Sequence, residues 1–404
     1  MIKAPPFILN TSEPAVQAWL ESALRELGEL AACRDSVACI EQVSIVNPRV
    51  VFLAFSGTLA QSSVHLAERL TALYPDLPLI AVGTTQDAAV VVQAMRCGAR
   101  DFIDIAGSPA EALQVVKRVA LEAEKTEPGR SGRVVALIGA RVGVGTTSLA
   151  ANLAVHIRRH LRRQGDDELL LLDLGLPVRD ASLYMKLAPN FSFADAVRNV
   201  RRFDKVFAQT AMGRHGSGVS VLPLPVTLAD MKDVSFVDAL GLVNRLRSFF
   251  ALQIIDLGGF NNIDFTSHLL KAADEVILVA DQSVGAIVSA AELLQELKKR
   301  EVETNGIHLV VSKFDARLGI DAATIAERLE LRSVLTVPDR REALMLAANQ
   351  GAVLAQQSPS DPLIRALQPL CASLGYRFSH TTEGLRAKLS RHMPWLVRQS
   401  LPGN

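Results

Sequence analysis

The residues best suited to chemistry lie in one stretch, Arg141-Val142-Gly143-Val144-Gly145-Thr146-Thr147-Ser148. Glycines spaced this closely let backbone N–H groups turn toward an anion, and hydroxyls follow them directly. The apolar run Val134–Ile138 leads in, and Leu149, Leu153 and Ile157 recur at helical spacing beyond it. Strand, glycine turn and helix N-terminus in that order hold a phosphate, because the helix dipole puts about half a positive charge at the turn. The general phosphate-loop pattern is G-x-x-x-x-G-K-[ST]. Gly145 and Thr147 fit it, whereas Ala140 replaces the first glycine and Thr146 the lysine. A cradle of backbone N–H groups is therefore expected to survive, without the cation that reaches the outer phosphates. A glycine turn that binds nothing is the other reading of these residues by themselves.

Two acids extend the pattern. Asp173 closes the apolar run Leu169–Leu172, and Asp256 closes L-Q-I-I-D ahead of Gly258 and Gly259. A strand-terminal carboxylate facing the Thr147 hydroxyl offers hard oxygens to magnesium, so Thr147, Asp173 and Asp256 are the candidate metal residues. The bland reading of each acid is a cap on a turn. Ser312-Lys313-Phe314-Asp315 is similar to the guanine-reading N-K-x-D of GTPases, with a plain strand-end turn as the simpler reading.

The elements that must position these groups alternate along the chain. Strands are expected at Pro6–Leu9, Val50–Phe55, Leu79–Val82 and Phe102–Ile105. Helices are expected at Ala15–Leu30, Val64–Leu73, Ala88–Cys97 and Ala110–Leu121. Such alternation predicts parallel sheets flanked by helices. Glu122–Gly132 is polar, with Pro128 and two glycines, and reads as a linker. The expected organisation is a unit over 1–121, a linker over 122–132, a second α/β unit over 133–375 and a basic amphipathic tail over 376–404. Within the second unit the basic run Arg158-Arg159-His160 with Arg162-Arg163 is expected to be a solvated helix end.

The chain has 404 residues, 49% of them hydrophobic, which suits two buried parallel sheets. A formal net charge of +1 provides no global basic field for nucleic acid. Cys33, Cys39, Cys97 and Cys371 lack C-x-x-C spacing and read as buried thiols. The N-terminus shows no signal-peptide core, and no apolar run reaches the roughly 18 residues of a spanning helix. A cytoplasmic protein is therefore expected.

The loop resembles the deviant phosphate loop K-G-G-x-G-K-T-T of MinD/ParA ATPases. Arg141 stands at the signature lysine, Gly143, Gly145 and Thr147 match, and Val142 and Thr146 depart. The stretch Asp173–Asn199 resembles the CpaE/TadZ pattern D-L-D-x-x-x-x-D-x-x-L-Y, matching at Asp173 and Asp180, with Gly175 replacing the second acid. The first 120 or so residues, with the phrase CGARDFIDI, resemble a response-regulator receiver. Ala54 stands where the phosphoacceptor belongs, Thr11 and Ser12 where the acidic pair belongs, and Ile105 where the lysine belongs.

The chain is thus identified as a CpaE/TadZ-like member of the MinD/ParA superfamily. The resemblance implies a flavodoxin-like pseudo-receiver followed by a doubly wound, mostly parallel P-loop fold. It implies ATP and Mg2+ as cofactors, with Arg141, Gly143, Val144, Gly145, Thr146, Thr147 and Ser148 at the nucleotide. It implies a homodimer that works with pilus and type II-type secretion machinery in assembling a Flp-type pilus at a cell pole. The inner-membrane surface is a further expected contact, and nucleic acid is not expected. No catalytic residue is assigned: Thr146 and Gly175 leave at most a weak ATPase. The alternatives are an active MinD-type ATPase cycling on a membrane, and a ParA-like DNA-partitioning ATPase using Arg198, Arg201 and Arg202.

Overall fold

The computed structural model describes residues 7–376, apart from 47, 56–59, 87, 126–131, 165–167, 177–178 and 260–261. The basic tail past 376 and most of the expected linker therefore lie outside the described residues.

Two sheets follow each other along the chain. The first holds β1 (Phe7–Asn10), β2 (Leu30–Cys33), β3 (Val50–Phe55), β4 (Leu79–Gly83) and β5 (Asp101–Asp104), all parallel, in the spatial order β2-β1-β3-β4-β5. This is the flavodoxin-like doubly wound order. Period-two alternation splits its core into two faces: Val51, Leu53 and Phe55 point to one, Val50, Phe52 and Ala54 to the other.

One expectation fails here. The helix predicted over Ala15–Leu30 ends at Leu24, and Leu30–Cys33 is β2, followed by a helix at Ser36–Val46. Gly28 takes φ 146°, and the amides of Leu27 and Gly28 close back onto the Leu24 carbonyl. The glycine breaks the helix although Leu27 and Leu30 continue its apolar spacing. At its other end the unit closes with the helix Pro109–Lys125, which runs into the expected linker.

The second sheet holds β6 (Arg133–Gly139), β7 (Leu169–Asp173), β8 (Gly213–Arg214), β9 (Val219–Pro223), β10 (Leu252–Asp256), β11 (Glu275–Ala280), β12 (His308–Phe314) and β13 (Ser333–Pro338). Their order is β13-β12-β11-β6-β10-β7-β9-β8, and only the short β8 runs antiparallel. The central strands are continuous apolar runs because helices cover both faces. Val134, Ala136 and Ile138 of β6 enter one core, and Val135 and Leu137 the other. Leu171, fully buried on β7, shows the energetic scale: truncation to Ala would cost about 2–5 kcal/mol.

The two units pack together. Phe236 and Val237, at the start of the helix Phe236–Arg247, join the core of the first sheet. Arg69 pairs with Asp238 at 2.9 Å, and His268 Nε2 meets Glu41 at 2.8 Å while its ring stacks on Phe236. Gly241 stands where the Leu73 side chain presses on that helix, leaving no room for a Cβ.

The basic helix end is not simply solvated. Arg158 is buried and donates Nε–H to the Gly218 carbonyl, while Arg159 donates to the carbonyls of Ala355 and Gln356. Both residues tie the helix Thr146–Gln164 to its neighbours. Nothing is described for the side chains of His160, Arg162 and Arg163.

Candidate nucleotide site

Register brings the candidate residues together. β10 lies between β6 and β7, with Asp256 directly opposite Asp173 on one side and Leu137 on the other. Both carboxylates thus emerge at the carboxyl edge of the sheet, beside the loop that follows β6. That is the edge where open α/β sheets bind ligands.

The loop is built by its glycines. Gly143 has φ 89° and Gly145 φ 97°, the left-handed region that residues with a Cβ rarely adopt. A Cβ built on either would meet nothing within 4 Å, so both face open space. Val144, between them, is buried and packs into the core, which anchors the loop. The helix Thr146–Gln164 starts immediately after and turns its N-terminus to the same space.

Thr146 points inward. Its side chain is wedged between two glycines: a Cβ on Gly139 would lie 2.5 Å from its Oγ1, and one on Gly258 3.0 Å from its Cβ. Position 146 is buried and presents no cation. Thr147 faces the acids instead. A Cβ on Gly175 would stand 3.0 Å from Asp256 Oδ2 and 3.2 Å from Thr147 Oγ1, so position 175 looks onto the same point as those two oxygens.

The acids are buried without full compensation. Asp173 and Asp256 are completely buried. Asp173 Oδ2 accepts from the Ser182 amide and hydroxyl, both at 2.9 Å, and Asp256 Oδ1 accepts from the Gly258 amide at 2.9 Å. Asp173 Oδ1 and Asp256 Oδ2 have no hydrogen-bond partner. Burial pushes Asp173 up to about 6 and Asp256 up to about 7, with the negative neighbours Asp173 and Asp180 adding to the latter. The Thr147 hydroxyl and the Gly258 amide offset only part of that rise. Two desolvated carboxylates with free oxygens are costly unless a cation joins them. The oxygen set suits magnesium, which takes few protein ligands and completes its shell with phosphate and water.

A cavity of about 560 Å³ opens over these groups. The loop from Arg141 to Ser148 lines it, together with Asp180, Tyr184, Gly258, Lys313, Asp339 and Arg340. Its size lies within the range of small-molecule sites. Arg141 lines the cavity, its guanidinium laid against Gly285 at the start of the helix Val284–Lys299. Every candidate nucleotide residue lines the cavity, whereas Asp173 and Asp256 lie beneath it.

Sequence reasoning missed the inward turn of Lys313. The only available signal was its place at a strand end in S-K-F-D. Asp315, the last residue of that run, faces elsewhere: it caps the turn Ala316–Leu318 and is held to about 2 by hydrogen bonds from Arg317. That arrangement is a strand-end turn, with the Asp315 carboxylate engaged by Arg317.

In the first unit Ala54 is buried at the end of β3, and Thr11 is buried after β1. Asp104 closes β5, held low by the Thr85 hydroxyl. Among the described residues no three His, Cys, Asp or Glu side chains cluster as a metal site. All four cysteines are free and buried.

Residues 4–124 match the family model described as pilus assembly protein TadZ N-terminal. Among solved structures the chain is similar to a ParA family ATPase from Chlorobium tepidum TLS, at 20% identity over 59% of this chain and 98% of that one, with a TM-score of 0.54. It is similar to the septum site-determining protein MinD complexed with Mg-ADP from Pyrococcus horikoshii OT3, at 16% identity over 64% of this chain and 99% of that one, with a TM-score of 0.50. A CheY-like protein (tadZ) from Pseudomonas aeruginosa PAO1 aligns at 27% identity over 28% of this chain and 97% of that one, with a TM-score of 0.26. No curated protein matches the chain. The first unit thus belongs to the TadZ N-terminal family, and the second has the MinD/ParA fold.

Proposed function

We propose that this chain, a TadZ N-terminal domain joined to a MinD/ParA-type fold, is a nucleotide-binding scaffold for pilus assembly that hydrolyses ATP weakly or not at all. The observation that carries the reading is the pair of orphaned carboxylate oxygens, Asp173 Oδ1 and Asp256 Oδ2, buried under an open left-handed glycine loop. ATP would lie with its phosphates against the amides of Gly143, Gly145, Thr146 and Thr147. Magnesium would be held by the Thr147 hydroxyl and ordered by Asp256 and Asp173. The magnesium ion would supply the positive charge that those acids lack, and the phosphates would complete its shell.

The same residues weigh against turnover. Phosphoryl transfer relies on cations at the transferring group and a positioned water. Thr146 provides no cation, and Gly175 no side chain beside Asp256. Arg198, one of the basic residues a DNA-binding reading needs, is engaged with Asp195 and the Asp230 carbonyl of its own chain.

A homodimer fits the exposed apolar side chains Val142, on the loop, and Val284 and Val288, on the helix that Arg141 touches, which are 67%, 70% and 50% exposed. Across such an interface Arg141 could turn from Gly285 toward a partner's phosphates, where its bidentate fork suits the ligand. Among the described residues no helix is long and apolar enough to cross a membrane. Attachment to the inner-membrane surface rests on the sequence of the tail, and placement at a cell pole on the family resemblance.

Calorimetry with ATP and magnesium on the full chain tests the reading. Binding is expected for the unaltered protein and its loss for Asp256→Ala. Absence of heat with the unaltered chain at millimolar ATP sinks it.

A further inference from the structure

We infer that Lys313 supplies from β12 the phosphate-facing cation that the loop lacks at position 146, an inference that rests on the nucleotide reading above. Its Nζ donates to the Gly143 carbonyl at 2.5 Å, which places an ammonium group at the apex of the loop, on the wall of the cavity. Two further observations show that this aim is built. Lys313 holds φ 51°, a left-handed conformation uncommon outside glycine and kept only where its surroundings demand it. The pairing of β12 with β13 also shifts register between Val311 and Phe314, an irregularity of the kind that re-aims a side chain.

The residue before it clamps the same loop. Ser312 Oγ donates to the Val144 carbonyl at 2.6 Å and lies 3.2 Å from the Ala280 carbonyl. The end of β12 therefore grips consecutive loop carbonyls, and its lysine is the grip that carries charge. Asp281 is the carboxylate beside that ammonium, at 3.8 Å, and it also accepts from the Ser283 amide and hydroxyl. About a third of the Lys313 side chain is exposed, and the residue lines the cavity. A long flexible stem lets the ammonium keep the Gly143 carbonyl and share its remaining donors with an anion. A point charge delivered from another strand thus takes over the phosphate-binding part of the missing loop lysine, while the acid absent at Gly175 still leaves the attacking water without a positioning side chain.

The test compares Lys313→Gln and Lys313→Arg with the unaltered full chain, by calorimetry with magnesium–ATP and with AMP. A hydrogen bond to a charged group has a strength that corresponds to about a 10- to 100-fold change in affinity. The Gln variant is expected to bind ATP about 10- to 100-fold more weakly and AMP nearly unchanged, with Arg restoring most of the loss. Equal weakening of ATP and AMP would show that the lysine only shapes the loop, and overturns the proposal. ATP affinity within twofold of the unaltered chain in the Gln variant overturns it as well, while leaving nucleotide binding intact. If the unaltered chain binds no nucleotide, the functional reading and this inference fall together.

Discussion

Asp256→Asn in the nucleotide-free chain probes the site through its own electrostatics. The carboxyl is fully buried with one oxygen unpartnered, and burial carries it from 3.8 to about 7. The folded chain therefore holds this proton to higher pH than the unfolded chain does. The stability it contributes is fully present below the unfolded value of 3.8 and is lost as pH rises through about 7. At about 1.4 kcal/mol per tenfold change, the full loss is about 4 kcal/mol. Of this, about 2–3 kcal/mol falls between pH 5 and pH 8. Asparagine keeps the acceptor for the Gly258 amide and cannot ionise. Urea unfolding followed by circular dichroism at the two pH values should show the unaltered chain losing about 2–3 kcal/mol more than the variant. Asp173, raised to about 6 by its own burial, titrates in both chains. Loss of its charged neighbour eases its ionisation in the variant and widens the difference in the same direction. Magnesium–ATP at 100 times its dissociation constant should restore about 2.7 kcal/mol to the unaltered chain at pH 8 and little to the variant. Stability profiles that run parallel from pH 5 to pH 8 would refute the reasoning, because they would mean that the carboxyl is not desolvated as described.

Other expectations concern the loop and the first unit. Turnover of ATP should stay at background, and a rate typical of MinD-type enzymes that Asp256→Ala abolishes would contradict the account of Thr146 and Gly175. Gly145→Ala should cost about 1 kcal/mol of stability through its φ of 97° and weaken ATP binding at least tenfold, since its Cβ enters the cradle. Calorimetry and thermal unfolding would read the two effects separately. Acetyl phosphate should leave the mass of the chain unchanged, because Ala54 offers no carboxylate; a stable 80 Da adduct on an acid of residues 7–125 would count against that reading.

Local order was legible because it follows from local causes. Continuous apolar runs mark β3, β6, β7 and β11, as expected of strands covered on both faces. The glycine loop announced itself through Gly143 and Gly145, and the ends of the apolar runs marked Asp173 and Asp256. Where two local rules competed, the reading failed. The apolar spacing of Leu27 and Leu30 favoured a continued helix, while the backbone freedom of Gly28 ended it and released β2. Tertiary structure alone decided what faces what. Strand order put Asp256 between the loop strand and Asp173, residues 83 apart in sequence becoming register partners. The inward side chain of Thr146 fits between Gly139 and Gly258, which lie on different strands and loops. Only a register shift between β12 and β13 swung Lys313 onto the Gly143 carbonyl, 170 residues away. Spacing along one chain reports periodicity within an element. It carries no information on which distant element fills the space in front of it, because packing across the sheet sets that.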